Sequence, residues 1–153
     1  MSLPKPRNIK VEKYIGGLSK FKKIDNPIKL SANESALGAS PKAIDAFERE
    51  KNKIFNYPDS DSNLLRDAIS KKFNIDSDRI ICGAGSDQIF DFICKVFLDQ
   101  GDEVIVSEFG FIMHRIYAKL HGAKVLLAKE KNFKASVDDI LKKVTDKTKI
   151  VFI

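Results

Sequence analysis

Cysteine is scarce in this 153-residue chain, and long apolar runs are missing. Cys82 and Cys94 are too few for a disulfide framework and lack metal-ligand spacing, so both are predicted to be small core residues. No apolar stretch approaches the roughly 20 residues of a membrane helix, and the first residues carry no apolar signal core. These absences exclude a disulfide scaffold and an integral membrane protein, and they favour a cytoplasmic setting.

Histidine is equally sparse. His114 and His121 lie seven residues apart on one predicted helix, without the Asp, Glu or Cys company of a metal site, so no metal is predicted. The net charge of +6 could suggest nucleic acid. However, the lysines are scattered among acidic residues, and no helix carries a basic stripe with interleaved aromatics. Neither nucleic acid nor a membrane is therefore an expected partner.

The composition, 43% hydrophobic and 31% charged, is typical of a soluble globular protein that can bury a core. Residues 1–30 mix charge, glycine and proline without periodicity, which predicts an extended N-terminal arm. Residues 31–75 form a helical segment, with helices predicted to begin at Ser40-Pro41 and near Ser62. Residues 76–153 have the regular pattern of a larger domain.

In that larger domain, strands and helices alternate. The predicted strands are 79–83, 103–107, 124–128 and 149–153, and the predicted helices are 87–99, 111–121 and 137–144. Apolar strands alternating with helices imply an α/β fold with a mostly parallel sheet covered by helices. Gly122 is a predicted helix C-cap, and Ser136 with Asp139 resembles a capping box. Because a buried parallel strand is normally followed by a loop and a covering helix, the chain is expected to be a fragment.

A glycine-bearing turn joins strand 79–83 to helix 87–99 and has the sequence Cys82-Gly83-Ala84-Gly85-Ser86-Asp87-Gln88. Glycine lets the backbone approach a ligand closely, and Ser86 is a predicted N-cap. The helix start offers unpaired N–H groups and a positive dipole end, roughly half an elementary charge, to a phosphate. The spacing matches neither Gly-x-Gly-x-x-Gly nor Walker A, so a tight connector before a capped helix is an equal alternative from the turn alone.

Seven short motifs lie along the chain in this order: Asn33-Glu34, Leu37-Gly38-x-Ser40-Pro41, Tyr57-Pro58, Leu64-Leu65-Arg66, Gly85-Ser86-Asp87, Phe111 and Gly122-Ala123. Together they resemble the first part of histidinol-phosphate aminotransferases, which are fold-type I enzymes that depend on pyridoxal 5'-phosphate (PLP). The resemblance covers nearly the whole chain from about residue 10. It implies a three-layer PLP-transferase-like fold, with an incomplete large domain, an N-terminal arm and a small-domain segment.

The resemblance also implies the cofactor site. Gly85, Ser86 and Asp87 would place backbone amides on the PLP phosphate at a helix N-terminus. Phe111 would pack against the cofactor ring, where many relatives have tyrosine. From the residues alone, Phe111 could equally be a core residue of helix 111–121.

Further site residues follow from the same resemblance. Tyr57 would reach the phosphate of a partner subunit's PLP, which implies a homodimer, although a locally packed turn residue is the alternative. Tyr14, Asn33 and Glu34 would lie near the substrate. The two residues after Glu34 depart from the family's Asn-Pro, and Tyr14 could be an ordinary surface tyrosine.

The implied reaction moves the amino group of L-histidinol phosphate to 2-oxoglutarate in histidine biosynthesis. No catalytic residue is expected in this chain, because the Schiff-base lysine would lie past Ile153 and Lys20 is interpreted as a solvated arm residue. The chain alone is therefore expected to be inactive. One alternative is a PLP-dependent lyase such as threonine-phosphate decarboxylase, and another is a non-catalytic PLP-binding or dimerisation fragment.

Overall fold

The computed structural model describes residues 8–17, 25 and 28–153 of the chain. These residues form five α-helices and five β-strands. In chain order they are α1 (Pro41–Glu50), α2 (Asn63–Phe73), α3 (Gly85–Phe97), β1 (Glu103–Ser107), α4 (Ile112–Leu120), β2 (Lys124–Ala128), β3 (Glu130–Lys131), β4 (Lys134–Ala135), α5 (Val137–Leu141) and β5 (Thr148–Phe152).

The described residues divide into two compact units. One combines residues 8–14 with Gly83–Ile153 and contains every strand named above; the other lies between residues 15 and 82 and contains α1 and α2. The division into segments 1–30, 31–75 and 76–153 stays a prediction. Lys20 lies outside the described residues.

The first unit is built on a parallel sheet with the strand order β2-β1-β5. Ile105 at the middle of β1 is opposite Leu126 of β2 and Val151 of β5. All five residues of β1 are buried. A central parallel strand is covered on both faces, and this explains why β1 is a continuous apolar run instead of an alternating one.

Helices cover both faces of this sheet. On one face, Val104 packs with Cys94 of α3 and Ala118 of α4. On the other face, Ile105 belongs to a smaller cluster that includes Ile140 of α5. The predicted α/β architecture, a parallel sheet between two helical layers, is therefore confirmed.

The predicted strand 79–83 is wrong. Ser77–Arg79 is a short 3-10 helix, and Ile80 is extended (φ −112°, ψ 126°) but pairs with none of the described strands. β-branched residues favour an extended backbone, yet a strand also needs a neighbour for its hydrogen bonds. Cys82 is consequently half-buried outside the sheet, whereas Cys94 is fully buried, as predicted, and burial raises the pKa of its thiol to about 11.

The predicted helix ends agree in part with the structure. α4 ends at its C-cap residue His121, and Gly122 follows with a φ of +87°, which favours glycine, so the predicted glycine at the end of this helix is confirmed. At α5, Ser136 Oγ accepts a hydrogen bond from the Asp139 N–H at 3.4 Å. The Asp139 carboxylate accepts from the Lys129 N–H instead of returning to Ser136, so only half of the capping box forms.

A buried carboxylate at the amino-terminal edge of the sheet joins β1 to β2 and to the loop that precedes β5. Glu103 accepts hydrogen bonds from Thr145 Oγ1 at 2.7 Å and from Lys124 Nζ at 2.9 Å, and its backbone N–H donates to the carbonyl oxygen of Lys147. The Thr145 hydrogen bond, followed by that from Lys124, lowers the pKa of Glu103 below its ordinary value. The ionised form of Glu103 is therefore favoured in the folded chain.

This shift predicts an acid-dependent contribution to stability. A folded-state pKa below the unfolded value adds stability that is fully present above the unfolded pKa, near 4.5, and is lost as the pH falls through the folded pKa. We expect Glu103→Gln to lower the melting temperature at pH 7, and we expect its difference from the wild type to shrink as the pH falls below the unfolded pKa. Glu50→Gln removes a carboxylate from an exposed pair and is the control. If the difference in melting temperature between Glu103→Gln and the wild type stayed the same at acidic pH, the ionised Glu103 carboxylate would not be its cause.

Candidate functional site

The glycine turn leads directly into α3, as the sequence predicted. Gly85 is the first helical residue and has a φ of +78°, and a Cβ placed there would meet no atom within 4 Å. Conformation, and not lack of space, therefore requires glycine at this position. At Gly83, by contrast, a Cβ would come within 3.0 Å of Ile89 Cδ1, so the turn lies close against its own helix.

The start of α3 has no side-chain cap. Ala84 occupies the N-cap position, so the prediction that Ser86 is the N-cap is wrong: the left-handed Gly85 opens the helix before Ser86 is reached. Gln88 accepts a hydrogen bond from the Ala84 N–H at 2.6 Å. The Gly85 N–H donates to the carbonyl oxygen of Gly83 at 2.9 Å. Ser86 and Asp87 thus lie in the first turn, at the positive end of the helix dipole, where N–H groups have no partner within the helix.

Aromatic rings from three elements and the N-terminal segment meet beside α3. Phe111, the N-cap residue of α4, is 44% exposed, and its ring centroid lies 6.4 Å from Phe90 of α3. Tyr14 meets Phe111 edge-on at 6.3 Å. His114 stacks on Phe152 of β5 at 4.5 Å, with the two planes within 9°. Phe111 therefore rests on a packed aromatic base while keeping part of its surface open.

Two charged side chains hold the loop between β1 and α4 that leads to Phe111. Arg115 Nη2 donates to the carbonyl oxygen of Glu108 at 2.8 Å. The Phe109 N–H donates to the carboxylate of Glu130 at 3.2 Å. Sequence reasoning missed both residues. No local spacing rule indicates either contact, because Arg115 lies seven residues from Glu108 and Glu130 lies 21 residues from Phe109.

The two histidines have packing partners in the first unit. The ring of His114 lies 4.5 Å from Phe90, edge to face, and burial lowers the pKa of His114, which favours the neutral imidazole. His121 Nε2 lies 2.7 Å from Asp91 Oδ1 of α3. In the described part of the chain, no three metal-ligating residues lie together.

The other predicted site residues belong to the second unit. Tyr57 is 95% exposed, and Asn33 is also exposed. Glu34 accepts a hydrogen bond from Lys29 Nζ at 2.5 Å. Whether these three residues contribute to the site at α3 stays a prediction.

The first unit therefore has a helix start whose chemistry suits an anion, and a half-exposed aromatic ring, Phe111, that packs against Phe90 of the same helix. Such a pair suits a flat, phosphorylated aromatic molecule, because the helix amides can hold the phosphate while Phe111 contacts the ring.

No described helix is long and apolar enough to cross a membrane.

The fold is that of the fold-type I PLP-dependent transferases. The chain superimposes on histidinol-phosphate aminotransferase from Sinorhizobium meliloti in complex with pyridoxal-5'-phosphate with a TM-score of 0.71 and 21% identity, over 76% of this chain and 32% of that one. For the alanine aminotransferase from Pyrococcus furiosus the TM-score is 0.64 and the identity 28%, over 71% of this chain and 30% of that one.

The chain belongs to the aminotransferase class I and II family, whose family model matches residues 25–153. It is 54% identical over 153 residues to a histidinol-phosphate aminotransferase of Pelagibacter ubique (strain HTCC1062), covering all of this chain and 42% of that protein. It is 41% identical over 150 residues to the histidinol-phosphate aminotransferase of Rhodospirillum rubrum, covering 98% of this chain and 41% of that protein. The chain thus spans about two-fifths of the length of these curated relatives.

Proposed function

We propose that the protein carrying this chain is a PLP-dependent aminotransferase that moves the amino group of L-histidinol phosphate to 2-oxoglutarate in histidine biosynthesis. The observation that carries the proposal is the uncapped start of α3 beside the half-exposed ring of Phe111. The 54% identity to a protein named histidinol-phosphate aminotransferase supports the choice of amino donor. A cytoplasmic location and a homodimer are part of the same proposal.

PLP fits the residues present. Its phosphate is a dianion that suits the open first turn of α3, where Ser86 and Asp87 supply backbone amides and the left-handed Gly85, whose own N–H donates to the Gly83 carbonyl oxygen, lets the turn approach the ligand. The Asp87 carboxylate also lies in that turn and would repel the phosphate, so the proposed binding depends on the backbone amides. Phe111 has free surface to pack against the pyridine ring.

Bound PLP supplies an electron sink for the substrate carbon that loses its proton. The proposed role of the residues of this chain is to bind the cofactor and to orient it. Backbone amides in the turn Gly85–Asp87 would anchor one end of the cofactor, and Phe111 would set the plane of its ring and exclude water from one face. Tyr57 is proposed to reach the phosphate site of a partner subunit, and Tyr14, Asn33 and Glu34 to lie near the substrate. The catalytic lysine is expected beyond Ile153, so this chain alone is expected to be inactive.

An assay of the complete protein tests the reaction. With PLP, L-histidinol phosphate and 2-oxoglutarate, we expect glutamate to form at a rate that saturates with the amino donor. Release of carbon dioxide without glutamate would instead indicate a lyase. The proposal fails if the protein binds PLP but produces no glutamate from L-histidinol phosphate. An absence of PLP binding would overturn the cofactor assignment itself.

A further inference from the structure

One face of α4 is lined by side chains at four-residue spacing: Phe111 at the N-cap, then Arg115 and Lys119. Residues one helical turn apart share a face, so these three form a single row that runs from the aromatic cluster to the end of the helix. Residues 8–14 belong to the same compact unit and lie along this row. We call residues 8–14 the arm segment.

Two side-chain contacts attach the arm segment to α4. The Glu12 carboxylate accepts a hydrogen bond from Lys119 Nζ at 2.6 Å. Two residues later, the Tyr14 ring meets Phe111 at a centroid distance of 6.3 Å and an interplanar angle of 84°. The arm segment thus runs antiparallel to the helix, with Glu12 at the helix end and Tyr14 at its beginning.

Little else fixes this segment. Within the described residues, no backbone-to-backbone hydrogen bond joins 8–14 to the rest of the unit. Asn8 and Lys10 line an open cleft of about 410 Å³ with Lys119 and Gly122, so the packing there is loose. The charged contact of Glu12 is consequently the main polar attachment in this part of the chain.

The positive charges of Lys119 and Arg115 favour the ionised form of Glu12. The hydrogen bond from Lys119 is the largest cause that lowers the pKa of Glu12, and the charge of Arg115 lowers it further. The side chains of Glu12 and Lys119 are 39% and 33% exposed. An ion pair with this exposure has a modest effect on overall stability, but it can determine the position of a segment with few other contacts.

We propose that Glu12, held by Lys119, is a positioning residue that fastens the arm segment along α4 and so sets Tyr14 against the ring of Phe111. The role of Phe111 in this inference rests on the proposed function. Glu12 itself acts through Tyr14 and Phe111. Loss of the ion pair releases the arm segment and removes the Tyr14 contact from the Phe111 ring, which is then positioned only by Phe90 and His114 among these ring contacts.

Limited trypsin digestion of the complete protein tests the attachment. Cleavage after the exposed Lys10 and Lys13 is followed by mass spectrometry. In Lys119→Gln, which leaves the sequence of both cleavage sites unchanged, we expect cleavage about two- to fivefold faster, in line with the range measured for partly exposed ion pairs. Lys119→Arg should restore the wild-type rate. Lys51→Gln, which breaks the exposed pair with Glu48, should leave the rate unchanged.

PLP titration of the same variants tests the positioning role. We expect Lys119→Gln to weaken PLP binding about two- to fivefold, and Lys119→Arg and Lys51→Gln to bind as the wild type does. Equal cleavage rates in all four proteins would overturn the attachment. Faster cleavage with unchanged PLP affinity would overturn the positioning of Phe111. If the wild type binds no PLP, the proposed function fails, while the cleavage rates still decide the attachment.

Discussion

Ile105→Ala is expected to lower the free energy of unfolding by about 3 kcal/mol, a loss within the range for truncating a buried isoleucine. Ile105 is fully buried at the centre of β1, with β2 on one side and β5 on the other. Its side chain fills the face that α5 covers, where Ala128 and Ile140 are its buried neighbours. The sheet holds the backbone in place on both sides, so the cavity cannot close by a local shift. Urea denaturation, with the slope compared between proteins, measures the change.

Two further variants test whether the loss of stability in Ile105→Ala comes from the buried position of Ile105. Ile105→Val removes one methylene group and should lower the free energy of unfolding by about 1 kcal/mol. Val151→Ala changes the residue opposite Ile105 on β5, where the side chain is 39% exposed, and should have a smaller effect than Ile105→Ala. An effect of Ile105→Ala no larger than that of Val151→Ala would show that the β1 core does not support the fold.

The central strand β1 was predictable because its sequence pattern and its burial agree, and β2 was recognised from a similar pattern although only Ala128 in it is buried. The runs at 103–107 and 124–128 are short, apolar and followed by helical periods, and the structure places β1 and β2 at the same residues. A parallel strand between two helical layers has no solvent face, so its hydrophobic run is continuous and easy to recognise. The helices α3 and α4 were predictable in type, with ends displaced by one or two residues.

Three local features were not predictable from the sequence, because each depends on a strand partner, a backbone conformation or a cap bond that the residue types do not indicate. The segment 80–83 has strand composition but no strand partner among the described residues. The hairpin of β3 and β4 turns at Asn132 and Phe133, both with positive φ, and a left-handed phenylalanine carries no turn signal. α2 does begin next to Ser62, as predicted, but its cap bond was not predictable: the Asp59 carboxylate accepts the Asn63 N–H at 2.8 Å, and Ser62 makes no side-chain cap bond.

The candidate site shows the same limit. The glycine turn and the resemblance of Phe111 to a family position were visible in the sequence. The base on which Phe111 rests was not, because Phe90, His114 and Phe152 come from three separate elements and converge only after the sheet and its helices have packed. Local sequence patterns predict single helices and strands. A site assembled from several of them can be predicted only when the way they pack together is known.

Gly85→Asp is expected to weaken PLP binding by about tenfold to a hundredfold while changing the free energy of unfolding by less than about 1 kcal/mol. The added carboxylate would stand in the open space at the start of α3, where the phosphate dianion is proposed to bind. Two like charges a few ångströms apart near a protein surface repel by a few kcal/mol. For folding, the left-handed φ costs roughly 1 kcal/mol, and an acidic residue at the helix start returns roughly 0.3–1 kcal/mol through the dipole.

Gly85→Asn is the matched control, because asparagine has nearly the same shape and tolerates the same backbone conformation without the charge. The difference in PLP affinity between the Asp and Asn variants isolates the electrostatic effect, measured by absorbance titration of the complete protein. We expect Asn to bind PLP at least about tenfold more tightly than Asp, since charge repulsion is absent. Higher salt should narrow this gap by screening. Equal affinities in the two variants would mean that the phosphate does not bind at the start of α3.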